Sequence, residues 1–453
     1  MGQVYGDYDP GLAQGQWYPA LATDGGGYWG DDFDGVPDYS PPAGIRGFAL
    51  AAIFVCIGLL SYWGDASLAA YFAPLSQCLV AGLAIVLIFG VFSSGASVVF
   101  SAECILWLLF FLWGLVGYPF ALSTVLARDG LITLAKLLLT GLVVANAVNG
   151  RRAFLWLLVA VIMAGVLASL GGATGMARGA EEAGYGTARA ARSAGLFGNP
   201  NGLGKLMCLG IWAAVVIMFS SRSKTLKMFM VAEMLLCVVV IGATGSRQAM
   251  VGIALLGLST YWFLLRKTSQ GMGQKTAWLI VMAGLVLCAI LYLTTTAHWE
   301  RMARLFEEEK GVDTESSAQA RKQYLIGSWT VALKNPLLGV GYDCISLSLG
   351  QSGMHSPHNS ILGVAGNNGF VGWAFFFGAW GLVFRRMHRL GKFALPAPDR
   401  VILLSGWLLE MLLLFWSFVT VLTNYKPFWV LQGAYLGYLI YLERTYAPKA
   451  SRG

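Results

Sequence analysis

Charge is scarce in this sequence of 453 residues, where Asp, Glu, Lys and Arg together make up 12%. A soluble domain carries about 25% charged residues, so an ordinary soluble enzyme is excluded. Histidine is scarcer still, with 4 residues, so imidazole chemistry has few candidates. The 7 cysteines are scattered and none forms a CxxC pair. Cys56, Cys78, Cys104, Cys208, Cys237 and Cys288 fall inside apolar runs, where cysteine acts as a small hydrophobe, and Cys344 lies in a candidate loop. Neither a disulfide framework nor a zinc site is expected. HExxH, Walker A and GxSxG patterns are missing, as is any DxD pair in the candidate outer loops. No repeat of 20–50 residues is evident.

Apolar residues are plentiful: 57% of the chain is hydrophobic and its mean hydropathy is +0.64. At about 20 residues per membrane-spanning helix, this content fits roughly a dozen spans. The expected fold is therefore all-α, a polytopic integral membrane protein of about 12 transmembrane helices. Cutting the apolar runs at charges and Gly/Pro clusters gives 46–63, 75–92, 100–118, 130–148, 153–170, 201–220, 226–243, 248–265, 277–294, 358–384, 401–422 and 427–443. Lys136, inside the fourth, can face the bundle or snorkel.

The formal charge of +8 conceals an asymmetry. Residues 1–45 hold seven Asp and no Lys or Arg, so the remainder carries +15 (31 basic less 16 acidic side chains). This Gly- and Tyr-rich head has no apolar period, no basic n-region and no h-region, so a disordered acidic cytoplasmic tail is expected rather than a signal peptide. Its Asp31-Asp32-Phe33-Asp34 run is discounted as a metal cluster. The basic clusters Arg151-Arg152, Arg222/Lys224/Lys227, Arg266-Lys267, Arg385/Arg386/Arg389/Lys392 and Arg444/Lys449/Arg452 all fall on one side of a twelve-span layout. The positive-inside rule makes that side cytoplasmic, together with both termini. The expected organisation is thus the tail 1–45, a transmembrane domain over 46–445 and a short cytoplasmic tail over 446–453.

Two segments stand out on the opposite side. Residues 171–200 form a Gly/Ala-rich loop with Arg178, Arg189 and Arg192. Residues 295–357 form a large outer loop between spans nine and ten, where Arg321, Leu325, Ser328, Trp329 and Ala332 recur at helical spacing. A loop of this length is functional or disordered.

The leading site candidate is His355-Ser356-Pro357-His358-Asn359. Ser356 suits an N-cap and Pro357 the first helical position. His358 would then sit in the first turn of span ten, where the helix N-terminus keeps its ring neutral, as a general base requires. At about 100° per residue, Ala365, Gly369 and Gly372 lie within about 40° of His358, a small-residue stripe for helix packing. The competing reading is a packing helix whose histidine caps a loop. Arg247, after Gly245-Ser246, stands between two apolar spans and suits phosphate oxygens, or else snorkels to lipid headgroups. Arg321 opens Arg321-Lys322-Gln323-Tyr324-Leu325 and also fits a solvated helix face. Arg192 leads into Ser193 to Asn201, which are turn and cap residues first. One histidine, several arginines and no evident metal ligands fit transfer from a diphosphate-activated donor, with arginine holding the leaving group and histidine taking the acceptor proton.

These residues also form a pattern. His358-Asn359, followed after nine residues by Gly369-Phe370-Val371-Gly372, resembles the H-[NSQ]-x9-G-x2-G signature of bacterial O-antigen ligases. Asn335 to Tyr342 resembles the NPLxGxGY stretch before it. Gly195 to Gly204 resembles the G-x-F-x-x-P-N stretch of the wider O-antigen ligase/Wzy-type polymerase superfamily, and Ser246-Arg247 its outer S-R motif. The resemblance covers about residues 46–445. It implies a GT-C-like membrane glycosyltransferase of the bacterial inner membrane. Such enzymes take a glycan from undecaprenyl diphosphate at the periplasmic face. Ligases pass it to lipid A–core, and polymerases to another lipid-linked glycan. It further implies His358 as acceptor base and Arg247 with Arg321 as the diphosphate-binding pair. Arg192, His355 and Asn359 would support them, with Gly369 and Gly372 packing the helix. No metal, cofactor, nucleotide sugar or nucleic acid is implied; the other partners are membrane lipids.

Some Wzy-type polymerases carry Arg-x10-Gly in two outer loops. Eleven residues after Arg178, Arg189, Arg192, Arg301, Arg304 and Arg321 stand Arg189, Pro200, Leu203, Val312, Glu315 and Ala332, and none is glycine. This favours ligase over polymerase, although exopolysaccharide polymerases can share the histidine motif. An anion transporter is the alternative of another class, but the paired broken helices typical of transporters are not evident.

Overall fold

The computed structural model describes residues 81, 82, 85, 100–148, 150–173, 200–221, 223–244, 246–265, 312–350 and 359–447. For 170–173 and 312–322 it describes the backbone alone. The head 1–45, the expected spans 46–63 and 277–294, all of the expected span 75–92 but residues 81, 82 and 85, and the residues Arg192, His355 and His358 lie outside the described residues.

Among the described residues the chain is helical, without strands. The helices are α1 (Ala102–Gly117), α2 (Thr124–Ala147), α3 (Arg151–Ala173), α4 (Pro200–Ser220), α5 (Lys224–Thr244) and α6 (Arg247–Ser259). A π-helical stretch, Thr260–Leu265, extends α6. They continue with α7 (Val312–Lys334), α8 (Ile345–Ser348), α9 (Ser360–Leu390), α10 (Ala397–Val419) and α11 (Lys426–Tyr446). Among the described residues, seven helical segments are long and apolar enough to cross a membrane: Ala102–Phe120, Thr124–Ala147, Arg151–Ser169, Pro200–Ser220, Lys224–Thr244, Ser360–Leu390 and Ala397–Val419. These make the chain a polytopic helical membrane protein. The expected spans 248–265 and 427–443 are helical too, as α6 with its π extension and α11.

Charges displaced several expected boundaries. Helix α2 starts at Thr124 rather than 130, because Arg128 and Asp129 pair with each other at 3.1 Å on its exposed face. Its N-cap is Ser123, whose hydroxyl accepts from the Leu126 amide. Helix α9 runs on to Leu390 because Arg386 is paired rather than solvated.

Helix α4 is the most enclosed element and packs against α3, α5, α6 and α10. Helix α11 lies against α2 through two glycines: a Cβ at Gly433 would overlap the Gly141 carbonyl, and one at Gly437 the Ala145 carbonyl. Small residues let membrane helices approach this closely, and dispersion then replaces the hydrophobic effect as the attractive force. Within this apolar packing, Glu410 of α10 is fully buried. It accepts from Gln432 Nε2 of α11, at 2.9 Å to each carboxyl oxygen, and from Trp380 Nε1 of α9. One carboxyl therefore ties three helices. At one end of the bundle, Arg386 of α9 clasps Glu103 of α1 with two bonds of 2.8 and 3.0 Å and also pairs with Glu443 of α11. Asp399 of α10 accepts there from Tyr438 and Tyr446 of α11.

Helix α9 is broken at Gly369, whose φ of 67° and ψ of 179° only glycine adopts readily. The break frees backbone groups that an ordered loop fills. Phe370 N donates to Pro336 O, Val340 N to Gly366 O, and Gly341 N to Asn367 O, at 2.7, 2.9 and 3.0 Å. The Asn335–Tyr342 stretch thus docks into the kink. A Cβ at Gly369 would strike the Leu337 and Pro336 carbonyls, and one at Gly339 the Asn367 backbone. This corrects two expectations. The helix begins at Ser360 with Asn359 as N-cap, two residues after the expected start at 358, and Ser356 and Pro357 lie outside the described residues. The expected small-residue stripe through Ala365, Gly369 and Gly372 is interrupted, because the backbone turns out of helical geometry at Gly369, and its starting point, His358, lies outside the described residues. Loop backbone packs at Gly369, and Trp113 of α1 faces Gly372.

Two variants test this frame. Glu410→Leu leaves the Trp380 and Gln432 donors without an acceptor, so a loss of about 1–3 kcal/mol is expected. It should appear as earlier thermal unfolding in detergent, while Glu410→Gln, which keeps an acceptor oxygen, stays closer to wild type. On α9, Gly369→Ala should unfold early and accumulate poorly, whereas Gly381→Ala, whose Cβ meets nothing within 4 Å, should be neutral or slightly stabilising.

Candidate functional site

Opposite the Arg386 cluster, the N-termini of α4, α6, α9 and α11 gather around the C-terminal end of α10. Ser246 caps α6: its hydroxyl accepts from the Ala249 amide and donates to Asn201 Oδ1 of α4 at 3.0 Å. Gln248 of α6 donates to Val419 O of α10 at 3.0 Å. Asn359 caps α9, accepting from the Leu362 amide at 2.9 Å, and donates to Phe418 O at 3.2 Å. The Ser360 hydroxyl donates to Thr420 O at 2.6 Å and accepts from Leu422 N at 2.7 Å. Lys205 of α4 donates to Thr420 Oγ1 at 3.1 Å. Each helix N-terminus presents the positive end of a backbone dipole, so this end of the bundle favours an anion.

The Asn335–Tyr342 stretch joins the same end. Tyr342 is buried and donates to Asn424 Oδ1, in the α10–α11 turn, at 3.2 Å. Burial pushes its phenol up, and it also raises the neighbouring Asp343 carboxyl, against the lowering effect of a hydrogen bond with Asn424. Asp343 holds a left-handed backbone, with φ of 60°. Cys344 is a buried free thiol raised by desolvation, its sulfur 3.4 Å from Ser123 O. Among the described residues, no three His, Cys, Asp or Glu side chains converge as a metal site would require.

The anticipated residues divide as follows. Arg247 is the first residue of α6 and is exposed at this end. Asn359 is buried, and capping and the tie to α10 occupy its side chain, so it positions the start of α9. His358, the residue before Asn359 in the chain, lies outside the described residues. Arg321 lies on α7, the helix found where the outer-loop spacing of Leu325, Ser328, Trp329 and Ala332 predicts one. Ser328 and Ala332 are buried there, while Leu325 and Trp329 are exposed. Trp329 packs edge-on against Phe370 of α9, with ring centroids 6.1 Å apart. Lys205, Ser360, Thr420, Tyr425 and Asn424 were not anticipated. The available signal for Lys205 was a single charge inside the apolar run 201–220.

Comparison with known proteins adds one finding. Residues 232–377 match the family model described as O-antigen ligase. The matched segment runs from α5 to the middle of α9 and contains Arg247, Arg321, His355, His358, Asn359, Gly369 and Gly372. Among curated proteins no significant match is found. Over residues 232–377, the chain is thus similar to the O-antigen ligase family.

Proposed function

We propose that this chain is a membrane glycosyltransferase of the O-antigen ligase type, moving a glycan from undecaprenyl diphosphate to an acceptor at the periplasmic face of the bacterial inner membrane. The observation that carries the reading is the gathering of helix N-termini, exposed Arg247 and the Asn359 cap, one residue after His358, at a single end of the bundle. The other end bears Arg151, Lys224, Arg386, Arg389 and Arg444, which by the positive-inside rule supports a cytoplasmic face there; both termini on that side belong to the same proposal.

In this reading the acceptor hydroxyl oxygen attacks the anomeric carbon of the donor. The new glycosidic bond forms as the carbon–oxygen bond to the diphosphate breaks, and that electron pair leaves with the diphosphate. His358 takes the hydroxyl proton. Arg247 and Arg321 bind the diphosphate, where charge grows in the transition state. Lipid A–core is the acceptor for a ligase; a second lipid-linked glycan would make the enzyme a polymerase.

His358→Ala should lower transfer by roughly 100- to 10,000-fold, the usual contribution of a general base, while the protein still inserts and accumulates. Normal surface glycan in that mutant would sink the proposal. A purified assay offering both acceptors separates the two activities by product: glycan on lipid A–core supports the ligase, and lengthened lipid-linked glycan the polymerase.

A further inference from the structure

Lys136 and Lys205 stand inside described membrane helices in different ways. Lys136 of α2 is exposed, so its alkyl stem can carry the ammonium along the outer face toward headgroups. Lys205 of α4 is only 6% exposed and has no such route. It stands five residues beyond Pro200, about 8 Å along the helix from the first residue. Its ammonium donates to Thr420 Oγ1 and lies 4.6 Å from the centroid of the Tyr425 ring. Among the described residues no carboxylate pairs with it.

Its position is costly on two counts. The charge is desolvated. A hydroxyl and a ring face replace a counter-ion. The opposite end of the bundle shows the usual resolution of buried charge, with Arg386 clasped by Glu103 and Glu443. An intramembrane cation lacking such partners marks a place where an anion arrives.

Its surroundings join it to the site described above. Thr420, which receives the Lys205 ammonium on its hydroxyl, also receives the Ser360 hydroxyl on its carbonyl. Gly204, next in the chain to Lys205, faces the Ser246 cap of α6: a Cβ there would stand 3.3 Å from the hydroxyl oxygen. Lys205 thus borders the starts of both helices that carry the site, α6 with Arg247 and α9 just after His358. It lies outside the segment matched to the O-antigen ligase family, which begins at residue 232.

We propose that Lys205 is an anion-binding residue of this site, contacting a phosphate of a polyprenyl diphosphate from within the membrane while Arg247 reaches the diphosphate from the exposed rim. This inference rests on the function proposed above. The phosphate attached to the polyprenyl chain is the part of such a donor lying nearest the hydrocarbon. A soluble phosphate would have to shed its water to reach the ammonium, whereas a lipid-borne one is delivered by its own tail.

The test uses the full chain in phosphatidylcholine nanodiscs, titrated separately with undecaprenyl diphosphate and with phosphatidylglycerol. Lys205→Met should weaken undecaprenyl diphosphate binding by about tenfold or more, and Lys205→Arg should restore most of it. The melting temperature of Lys205→Met should equal or exceed that of wild type, because an uncompensated buried charge is gone. Wild-type binding by Lys205→Met overturns the proposal. So does a lowered melting temperature, which would make the lysine a strut between α4 and the α10–α11 turn. An equal loss toward phosphatidylglycerol overturns it too, marking a general headgroup contact. His358→Ala separates this inference from the function it rests on. If that variant retains transfer, the catalytic assignment falls, and the Lys205 titration is still read on its own terms.

Discussion

The break at Gly369 is the constraint on which the rest of the site depends. A continuous α9 would satisfy its own backbone and leave nothing for a neighbouring loop to pair with. By leaving helical geometry at one residue, the helix offers the Gly366 and Asn367 carbonyls and the Phe370 amide to the Asn335–Tyr342 stretch. That stretch carries Tyr342 to Asn424 in the α10–α11 turn. The same turn receives Lys205 and Ser360 at Thr420. Irregular backbone at membrane depth is tolerated only where protein groups satisfy it. Here the satisfying partner is the loop that completes the site.

The two ends of the bundle handle charge in opposite ways. At one end, arginines meet glutamates and an aspartate meets two tyrosine hydroxyls, so the charges are consumed in holding α1, α9, α10 and α11 together. At the other end, helix N-termini, Arg247 and Lys205 share one sign, and the Lys205 ammonium meets a hydroxyl and a ring face. The first arrangement resists change. The second is an unfinished electrostatic arrangement that suits an anionic ligand.

Much of the architecture was legible in the sequence because hydrocarbon imposes a simple rule, long apolar runs. Every expected span that falls on described residues coincides with a helix. Boundaries cut at charges were less secure, since a charge inside a helix can be paired, as Arg386 is, or turned outward with a neighbour, as Arg128 and Asp129 are. The site was legible only in part. Arg247 could be picked out as a charge wedged between apolar runs, and it does open a helix at the polar end. The angular relation drawn from His358 to Gly372 assumed an unbroken helix, and no periodicity reveals a glycine held at φ 67°. Lys205 was one charge in an otherwise apolar run. Whether such a lysine points outward, like Lys136, or inward depends on which helices surround it, and that is a property of tertiary packing.

The carboxyl of Glu410 has a consequence for how the chain enters the bilayer. Alone in lipid, α10 would expose that carboxyl, and α11 would expose Gln432 along with several tyrosines. Helix α11 is not among the segments apolar enough to cross a membrane on composition. Only a short turn, residues 420–425, separates the two helices. Glu410 and Gln432 can therefore meet as the helices emerge, each masking the other from hydrocarbon. Such pairing would let α10 and α11 insert as one unit, in which α10 supplies the hydrophobicity and the buried amide–carboxyl pair recruits its less apolar partner. Biogenesis of the C-terminal part of the protein would then depend on a contact formed before the rest of the bundle closes around it.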